Sequence, residues 1–543
     1  MAARSRFVAP GITLAVSLSA LTAQAPSTSV PDGAPAGIRH VDREDLKAHA
    51  SFLASDELGG RYTGTEGQEM AAEYISEHFE RLGLEPLGDK KRGGRSYFQS
   101  YPLERTYLDP KATAITIGKA KSQGGFAVVT GSKASKLKLS GSFAYCGDGS
   151  PDEIPKQSLK RRLPVVVLFE DEGEGAGGGG ERGNRGGEGA GRRGQGGRRR
   201  GGGRGFTMLN RIVSVQRELE SRGARVVLFC LVSEDSRVGD LLNVGGLMPG
   251  KPMLSFGSSA ARNFFSRVTM PSVFVGRPLA LQLLSAMGVD PDQGAVDGGA
   301  TTAKGRVEFS VKVDKKFSAR NVVAYLPGSH KKLAKEAVIY SAHMDHMGTR
   351  VDGDAFNGAD DNASGSSALL DIAQAFAKEG APKRSVIFLA VSGEELGLWG
   401  SEYYSDNPTW PLPRLVANIN IDMIGRATEL SGVDEISVTP SHSHPEYSTL
   451  VRSSLGIARK LGIGFTNGDR YYRRSDHYNF ARKGVPVVFY CDGEHEDYHK
   501  VTDHADKLDY GKMEGVARLA YWTGWEAAEA DGRPQTLGDQ TDW

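Results

Sequence analysis

Cysteine is scarce: Cys146, Cys230 and Cys491 are the three in 543 residues. Widely spaced and odd in number, they exclude the dense disulfide framework that staples small secreted domains. None has the C-x-x-C or Cys-plus-His spacing of a thiolate metal site, so they read as small buried hydrophobes. Charge of one sign is lacking too. A formal net charge of +1 provides no global field to recruit nucleic acid or an anionic surface, and such a partner would need a local patch. No internal apolar run reaches the roughly eighteen residues of a membrane span. What is present is ordinary for a globular protein, 39% hydrophobic and 24% charged residues. The length exceeds that at which one hydrophobic core stops growing, so two or more folded units are expected.

Arg4 and Arg6, an apolar run from Phe7 to Leu21 and then Ala23-Gln24-Ala25 read as an export signal cleaved after Ala25. The expected mature protein is periplasmic or secreted, with no membrane span once residues 1–25 are removed. Residues 26–38, rich in Pro, Ser, Gly and Ala, read as a linker. A helical pattern starts at Asp42, and a stronger amphipathic one runs from Glu66 to Leu82 through Met70, Tyr74, Ile75 and Phe79. Gly59 to Gly64 lies between them as a turn. Residues 39–105 are thus expected to begin one domain, which resumes over 321–528 and leaves a tail at 529–543.

The middle, 106–320, has short β-rich runs (Phe126 to Val129, Pro164 to Phe169, Val226 to Leu231) punctuated by Gly and Pro, as an inserted domain would. A helix over Ile212 to Gly223 feeds the strand at Arg225, and a Pro-led strand from Pro271 precedes the Leu-rich helix at Ala280. That order resembles the protease-associated domain inserted in several exported peptidases, which implies a role in covering the site or in substrate access. Residues 172–205 are almost wholly Gly, Arg and Glu, and are expected to form a disordered surface loop. An RGG-like contact with nucleic acid is the competing reading. It is disfavoured because aromatic interleaving is absent and glutamates dilute the first half, so no specific nucleic-acid partner is expected.

From about Val338 strands and helices alternate, the mark of an α/β sheet with crossover connections. The strand Val338-Ile339-Tyr340 ends at His343-Met344-Asp345, Ser385 to Val391 ends at Glu394-Glu395, and Val416 to Ile421 ends at Asp422. Ligands of open α/β sheets bind beyond the carboxyl ends of strands, so these polar groups converge on a site that the fold supplies. In H-x-D, His343 suits a metal ligand and Asp345 its orienter. Asp360, Asp361 and Asn362 precede the helix Ser366 to Ala377, where Asp360 or Asn362 can cap free amides and leave Asp361 for metal. Adjacent Glu394 and Glu395 repel unless cations are near, which suggests one as ligand and the other as general base. After the strand Val485 to Tyr490, either His495 or His499 could complete the set. Mixed imidazole and carboxylate donors suit two zinc ions, a pairing that makes peptide hydrolysis feasible near neutral pH without a serine or cysteine nucleophile.

The motifs SAHMDHMG, NGADDNASG, SGEELGLWGSEYY, NINIDMIGR, RRSDHYNFARKGVPVVF and DYHKVTDHADKLDY, spanning about 338–510 with a fainter match at 42–87, resemble the co-catalytic zinc aminopeptidases typified by bacterial leucyl aminopeptidase and aminopeptidase Y. The resemblance implies a zinc-exopeptidase fold: a mixed, mostly parallel sheet flanked by helices, with the β-rich domain inserted. It implies two zinc ions per chain, one held by His343 and Asp422, the other by Glu395 and His499, with Asp361 bridging. Glu394 would be the base, Asp345 would orient His343, and Tyr498 would stabilise the tetrahedral intermediate. Arg474 would contact substrate, with Tyr472 competing with Tyr498 for a substrate role. Peptides, cut from the N-terminus, are the implied substrates. A single-zinc glutaminyl cyclase or carboxypeptidase-like enzyme on the same scaffold is one alternative. A receptor or binding protein that lost catalysis is another, disfavoured because no ligand position is empty.

Overall fold

The computed structural model describes residues 31–540 except 131–134, 169–202 and short stretches within 234–244, 258–269 and 291–302. The export-signal reading and nearly all of the Gly/Arg-rich loop lie outside the described residues. The loop's last residues, 203–205, fall in a helix that spans Gly203–Ser221.

One mixed sheet organises the part of the chain outside the inserted unit. In chain order its strands are β1 (Phe98–Leu108), β2 (Lys304–Leu326), β3 (Ala337–His343), β4 (Ser385–Val391), β5 (Leu415–Ile421), β6 (Glu435–Thr439), β7 (Gly464–Asn467) and β8 (Val487–Cys491). They lie side by side as β1-β2-β4-β3-β5-β8-β6-β7. The central four, β4, β3, β5 and β8, are mutually parallel, whereas β1, β2 and β6 pair antiparallel to their inner neighbours. β3, β4 and β5 are buried at every residue, which is why they read as continuous apolar runs without alternation. Val338, Tyr340 and Ala342 of β3 face one core with α1 (Arg43–Leu53), α2 (Glu66–Arg81), α3 (Gly365–Glu379) and α4 (Tyr510–Glu529). Ala337 and Ile339 face a second core on the opposite side, with Tyr404 and Phe480. Each such large apolar side chain contributes roughly 1.5–3 kcal/mol on full burial.

Local chemistry sets the helix ends. The Asp42 carboxylate accepts hydrogen bonds from Glu44 N (2.9 Å) and Asp45 N (3.3 Å), capping α1, an interaction of about 1 kcal/mol. Its own backbone N donates to Asp371 Oδ2 of α3 at 2.7 Å, which fastens the N-terminal segment to the sheet's cover.

β2 belongs to two sheets. Lys304 to Ser310 pair with Lys136–Tyr145 in the inserted unit, whereas Val311 onward pairs with β1, with a bulge between Asp314 and Phe317. In that unit Arg162–Leu168 lies parallel to both Lys136–Tyr145 and Val227–Leu231, which is parallel in turn to Ser272–Val275. The expected boundaries at 105/106 and 320/321 therefore run through unbroken strands. Apolar cores cover both faces of this sheet, and one of them takes in Val351 from the loop that follows β3. All three cysteines are buried and free, and burial pushes the thiols of Cys146 and Cys230 up to about 12.

Two stretches are better anchored than composition suggests. Within 26–38, Gly37 and Ile38 are buried in a short helix, Ala36–His40, where a Cβ on Gly37 would collide with Tyr521 Oη. In the tail, α4 runs through Glu529, Thr536 bridges to Ser448, and Arg533 pairs with Glu336 at 2.6 Å. Among the described residues no helix is long and apolar enough to cross a membrane.

Candidate metal centre

β3 has β4 on one side and β5 on the other, so consecutive crossovers leave it in opposite directions and open a crevice at its carboxyl end. The polar groups gather there. His343 Nε2, at the last residue of β3, is 3.1 Å from Asp422 Oδ1 and 3.2 Å from Asp361 Oδ1. His499 Nε2 is 3.1 Å from Asp361 Oδ2 and 3.0 Å from Glu395 Oε2. Two donor triangles thus share Asp361, one carboxylate oxygen each. Two zinc bonds of about 2.0–2.1 Å meeting at a tetrahedral angle place their donor atoms roughly 3.3 Å apart, so the imidazole–carboxylate spacings at His343 and at His499 each suit an ion. Donor atoms of His343, Asp361 and Asp422, and likewise of His346, Asp361 and Glu395, lie within 4.8 Å of one another.

Electrostatics point the same way. Asp345, Asp361 and Asp422 are buried and the Glu395 side chain is only 4% exposed, so carboxylates outnumber the imidazoles here. Burial alone pushes the Asp361 carboxyl up and the His343 imidazole down. Hydrogen bonds from His343 and His499 nevertheless hold Asp361 well below the usual carboxylate range, and Asp422 and Glu394 drive His343 well above the usual imidazole range. Against burial, Glu395 and Asp361 raise His499 to about 11. Glu395, pushed up by burial and by Asp361, is brought down to about 2 by His499 and His346. Protons on the imidazoles balance a negative pocket that divalent cations would balance instead.

Residues 321–523 match the profile described as Peptidase family M28. That stretch belongs to peptidase family M28. Among curated relatives, the M28 stretch and its surroundings are 26% identical over 255 residues to aminopeptidase YwaD of Bacillus subtilis, covering 45% of this chain and 52% of that one. A probable leucine aminopeptidase of Arthroderma otae is 25% identical, covering 40% of this chain and 61% of that one. The chain spans little more than half the length of these curated relatives. The solved structure of BSAP, a zinc aminopeptidase from Bacillus subtilis, aligns over 90% of this chain and 96% of its own at 16% identity with a TM-score of 0.51, a likeness of fold.

Within the M28 site the expected residues divide. His343, Asp361, Glu395, Asp422 and His499 come together as described. His495 lies elsewhere, with Nε2 3.3 Å from Asp360 Oδ2. Asp360 Oδ1 accepts from Gly425 N (2.7 Å), and Asn362 Oδ1 accepts from Gly365 N (2.8 Å) at the start of α3, which leaves Asp361 free to face both imidazoles. The Asp345 carboxylate does not make the expected contact with His343: its Oδ1 stays 3.9 Å from Nδ1, while the main-chain carbonyl of Asp345 lies 3.1 Å from that nitrogen. The carboxylate instead accepts from Thr63 Oγ1 (2.9 Å) and Glu394 N (3.3 Å), and burial raises it to about 6.

Glu394, Tyr498 and Arg474 line the cavity beside the triangles, with Met423, Tyr471, Phe489, Cys491 and Glu494. Burial, first of all, holds Glu394 well above the usual carboxylate range. Tyr498 stacks on His499 with ring centroids 3.9 Å apart, and burial, then Asp361, keeps its phenol protonated. Arg474 Nη1 donates to Glu494 Oε1 at 2.5 Å across the rim. The free volume there is about 30 Å³. A larger cavity of about 450 Å³, lined by Val451, Leu455 and Phe465 among others, holds none of these groups.

Tyr472 is not brought into the site. The tight turn Asp469–Tyr471 sends neighbouring side chains to different sides: Tyr471 lines the cavity, while Tyr472 packs on His444 with centroids 4.0 Å apart.

Sequence reasoning missed several contributors. Arg61, 1% exposed, donates to the carbonyls of Leu53, Met344, Asn357 and Gly358, which ties together the two loops that carry His343 and Asp361. Ser475 Oγ donates to Asp422 Oδ2 at 2.7 Å and is itself held by Asn420 Nδ2 at 2.8 Å. His346 Nδ1 lies 2.6 Å from Glu395 Oε1. The available signals were an unpaired Arg in a Gly-Gly turn and a second His beside H-x-D.

Proposed function

We propose that this chain is an aminopeptidase that binds two zinc ions, one at His343, Asp361 and Asp422 and the other at Asp361, Glu395 and His499. The observation that supports it is the pair of donor groups joined at Asp361, with imidazole–carboxylate spacings of 3.0–3.2 Å suited to zinc. When bound, zinc supplies Lewis-acid polarisation of a scissile carbonyl and acidifies water.

The chain's own residues supply the rest. Glu394, lining the cavity while Glu395 turns to the imidazoles, accepts the proton of the attacking water at its carboxylate and passes it to the leaving amine. Tyr498, with its hydroxyl proton retained, donates a hydrogen bond to the carbonyl oxygen as charge grows there. Arg474, freed from Glu494, holds substrate at the rim. Met423, Tyr471, Phe489 and Cys491 wall the space beside Glu394, and it has to widen from its present volume of about 30 Å³ to receive the terminal side chain.

Aminoacyl p-nitroanilides, assayed with and without chelator, test this reading. Hydrolysis of free aminoacyl substrates, no hydrolysis of their N-acetylated forms, loss with chelator and recovery with zinc are expected. Hydrolysis indifferent to chelator, or cyclisation of N-terminal glutamine by a protein holding a single zinc, would contradict it. Export rests on residues 4–25 alone, and a mature N-terminus at Pro26 is its test.

A further inference from the structure

We infer that His346 is a positioning residue of the second metal triangle: it holds one oxygen of Glu395, so that only the other oxygen is presented to the ion beside Asp361 and His499. The inference rests on the two-ion reading above and adds what sets the affinity of one of the two sites.

His346 is fully buried. Its Nδ1 lies 2.6 Å from Glu395 Oε1, while Oε2 of the same carboxylate is 3.0 Å from His499 Nε2. A carboxylate can only accept, so the proton of this contact sits on Nδ1. A separation of 2.6 Å is that of a short hydrogen bond, just below the usual range of about 2.7–3.2 Å for N–H···O. It is well short of the roughly 3.3 Å between two donors on one zinc ion, and His346 Nδ1 stands 3.9 Å from Asp361 Oδ2. The ring is fixed from several sides. A Cβ at Gly358 would collide with its Cγ and Cδ2, its backbone N donates to the Arg61 carbonyl, and it meets the His499 ring edge-on with centroids 5.8 Å apart.

The consequence is chemical. A carboxylate with both oxygens free can chelate an ion and fill a position that substrate needs, whereas one with an oxygen held elsewhere offers a single bond. Asp422 is treated alike on the first triangle, with Oδ2 held by Ser475 and Oδ1 turned to His343. The competing assignment makes His346 itself a ligand, since donor atoms of His346, Asp361 and Glu395 all lie within 4.8 Å of one another.

Zinc titration of the metal-free full chain against a chromophoric competing chelator separates these. The chains compared are wild type, His346→Leu, His346→Asn and His499→Ala. Asparagine places an amide N–H near the position of Nδ1 and can restore the bond to Glu395. The inference expects two ions in wild type and two in His346→Leu, with one dissociation constant raised about 10–100-fold and the other unchanged, and recovery of most of that loss in His346→Asn. His499→Ala should keep one ion. Wild-type affinities at both sites in His346→Leu would overturn it. So would a His346→Leu that holds a single ion like His499→Ala, with His346→Asn no better, which would make His346 a ligand. Should His346→Leu not fold, His346→Ala is read in the same way. A wild-type chain that binds fewer than two ions instead removes the two-ion reading beneath the inference.

Discussion

Thr63 Oγ1 donates to Asp345 Oδ2 at 2.9 Å, across 282 residues of chain. The same oxygen accepts from Gly393 N at 2.9 Å, so one buried hydroxyl joins the loop after β3 to the loop that carries Glu394. Replacing it by an isosteric methyl strands a buried amide and a buried carboxylate. Thr63→Val is expected to cost about 1–3 kcal/mol, read from denaturant midpoints of the metal-free protein. It should also weaken zinc binding about tenfold or more through the displaced loops. Unchanged stability and zinc affinity would show that the hydroxyl is not the link.

Glu394 and Asp361 should separate chemistry from metal binding. Glu394→Ala is expected to retain its zinc content while hydrolysis falls by about 10²–10⁴-fold, because its carboxylate stands outside both donor triangles. Asp361→Ala removes the group common to both triangles and should lose zinc and activity together. Metal analysis beside p-nitroanilide rates checks both, and a Glu394→Ala enzyme with substantial activity would remove the assigned base.

A pH dependence arises far from the metal centre. His49 on α1 and His78 on α2 meet edge to face with centroids 4.8 Å apart, and burial, first of all, lowers each to about 4. In the unfolded chain both titrate near 6.5. Below that value the unfolded state binds protons that the folded state refuses, so stability is full above about pH 6.5 and falls as the pH drops towards 4. The slope approaches roughly 1.4 kcal/mol per pH unit for each histidine. His78→Phe should make the fall between pH 6.5 and 4 shallower than in wild type, measured as denaturant midpoint against pH. Parallel profiles would exclude this pair as the source.

Much of this arrangement was legible in the sequence because buried parallel strands announce themselves as apolar runs. A residue just past the end of such a strand lies by construction at the mouth of the sheet. His343, Glu394 and Asp422 were placed in this way, and the structure sets the two donor triangles beyond the ends of those strands. Groups that act through geometry were harder to read. Arg61 sits in a turn between two helices and binds only carbonyls, which carry no sequence signal. Tyr471 and Tyr472 are adjacent, and only the phase of a tight turn decides which one lines the cavity. At Asp345 the residue was placed near its partner, but the atom that reaches His343 is the backbone carbonyl. Sequence spacing locates residues and does not choose between the oxygens of one residue.

The proposed activation of water requires that each triangle hold an ion. Anomalous diffraction at the zinc edge from crystals of the zinc-loaded protein reads this directly. Two peaks are expected, one among His343, Asp361 and Asp422 and the other among Asp361, Glu395 and His499. A single peak, or peaks that do not share Asp361, would contradict it.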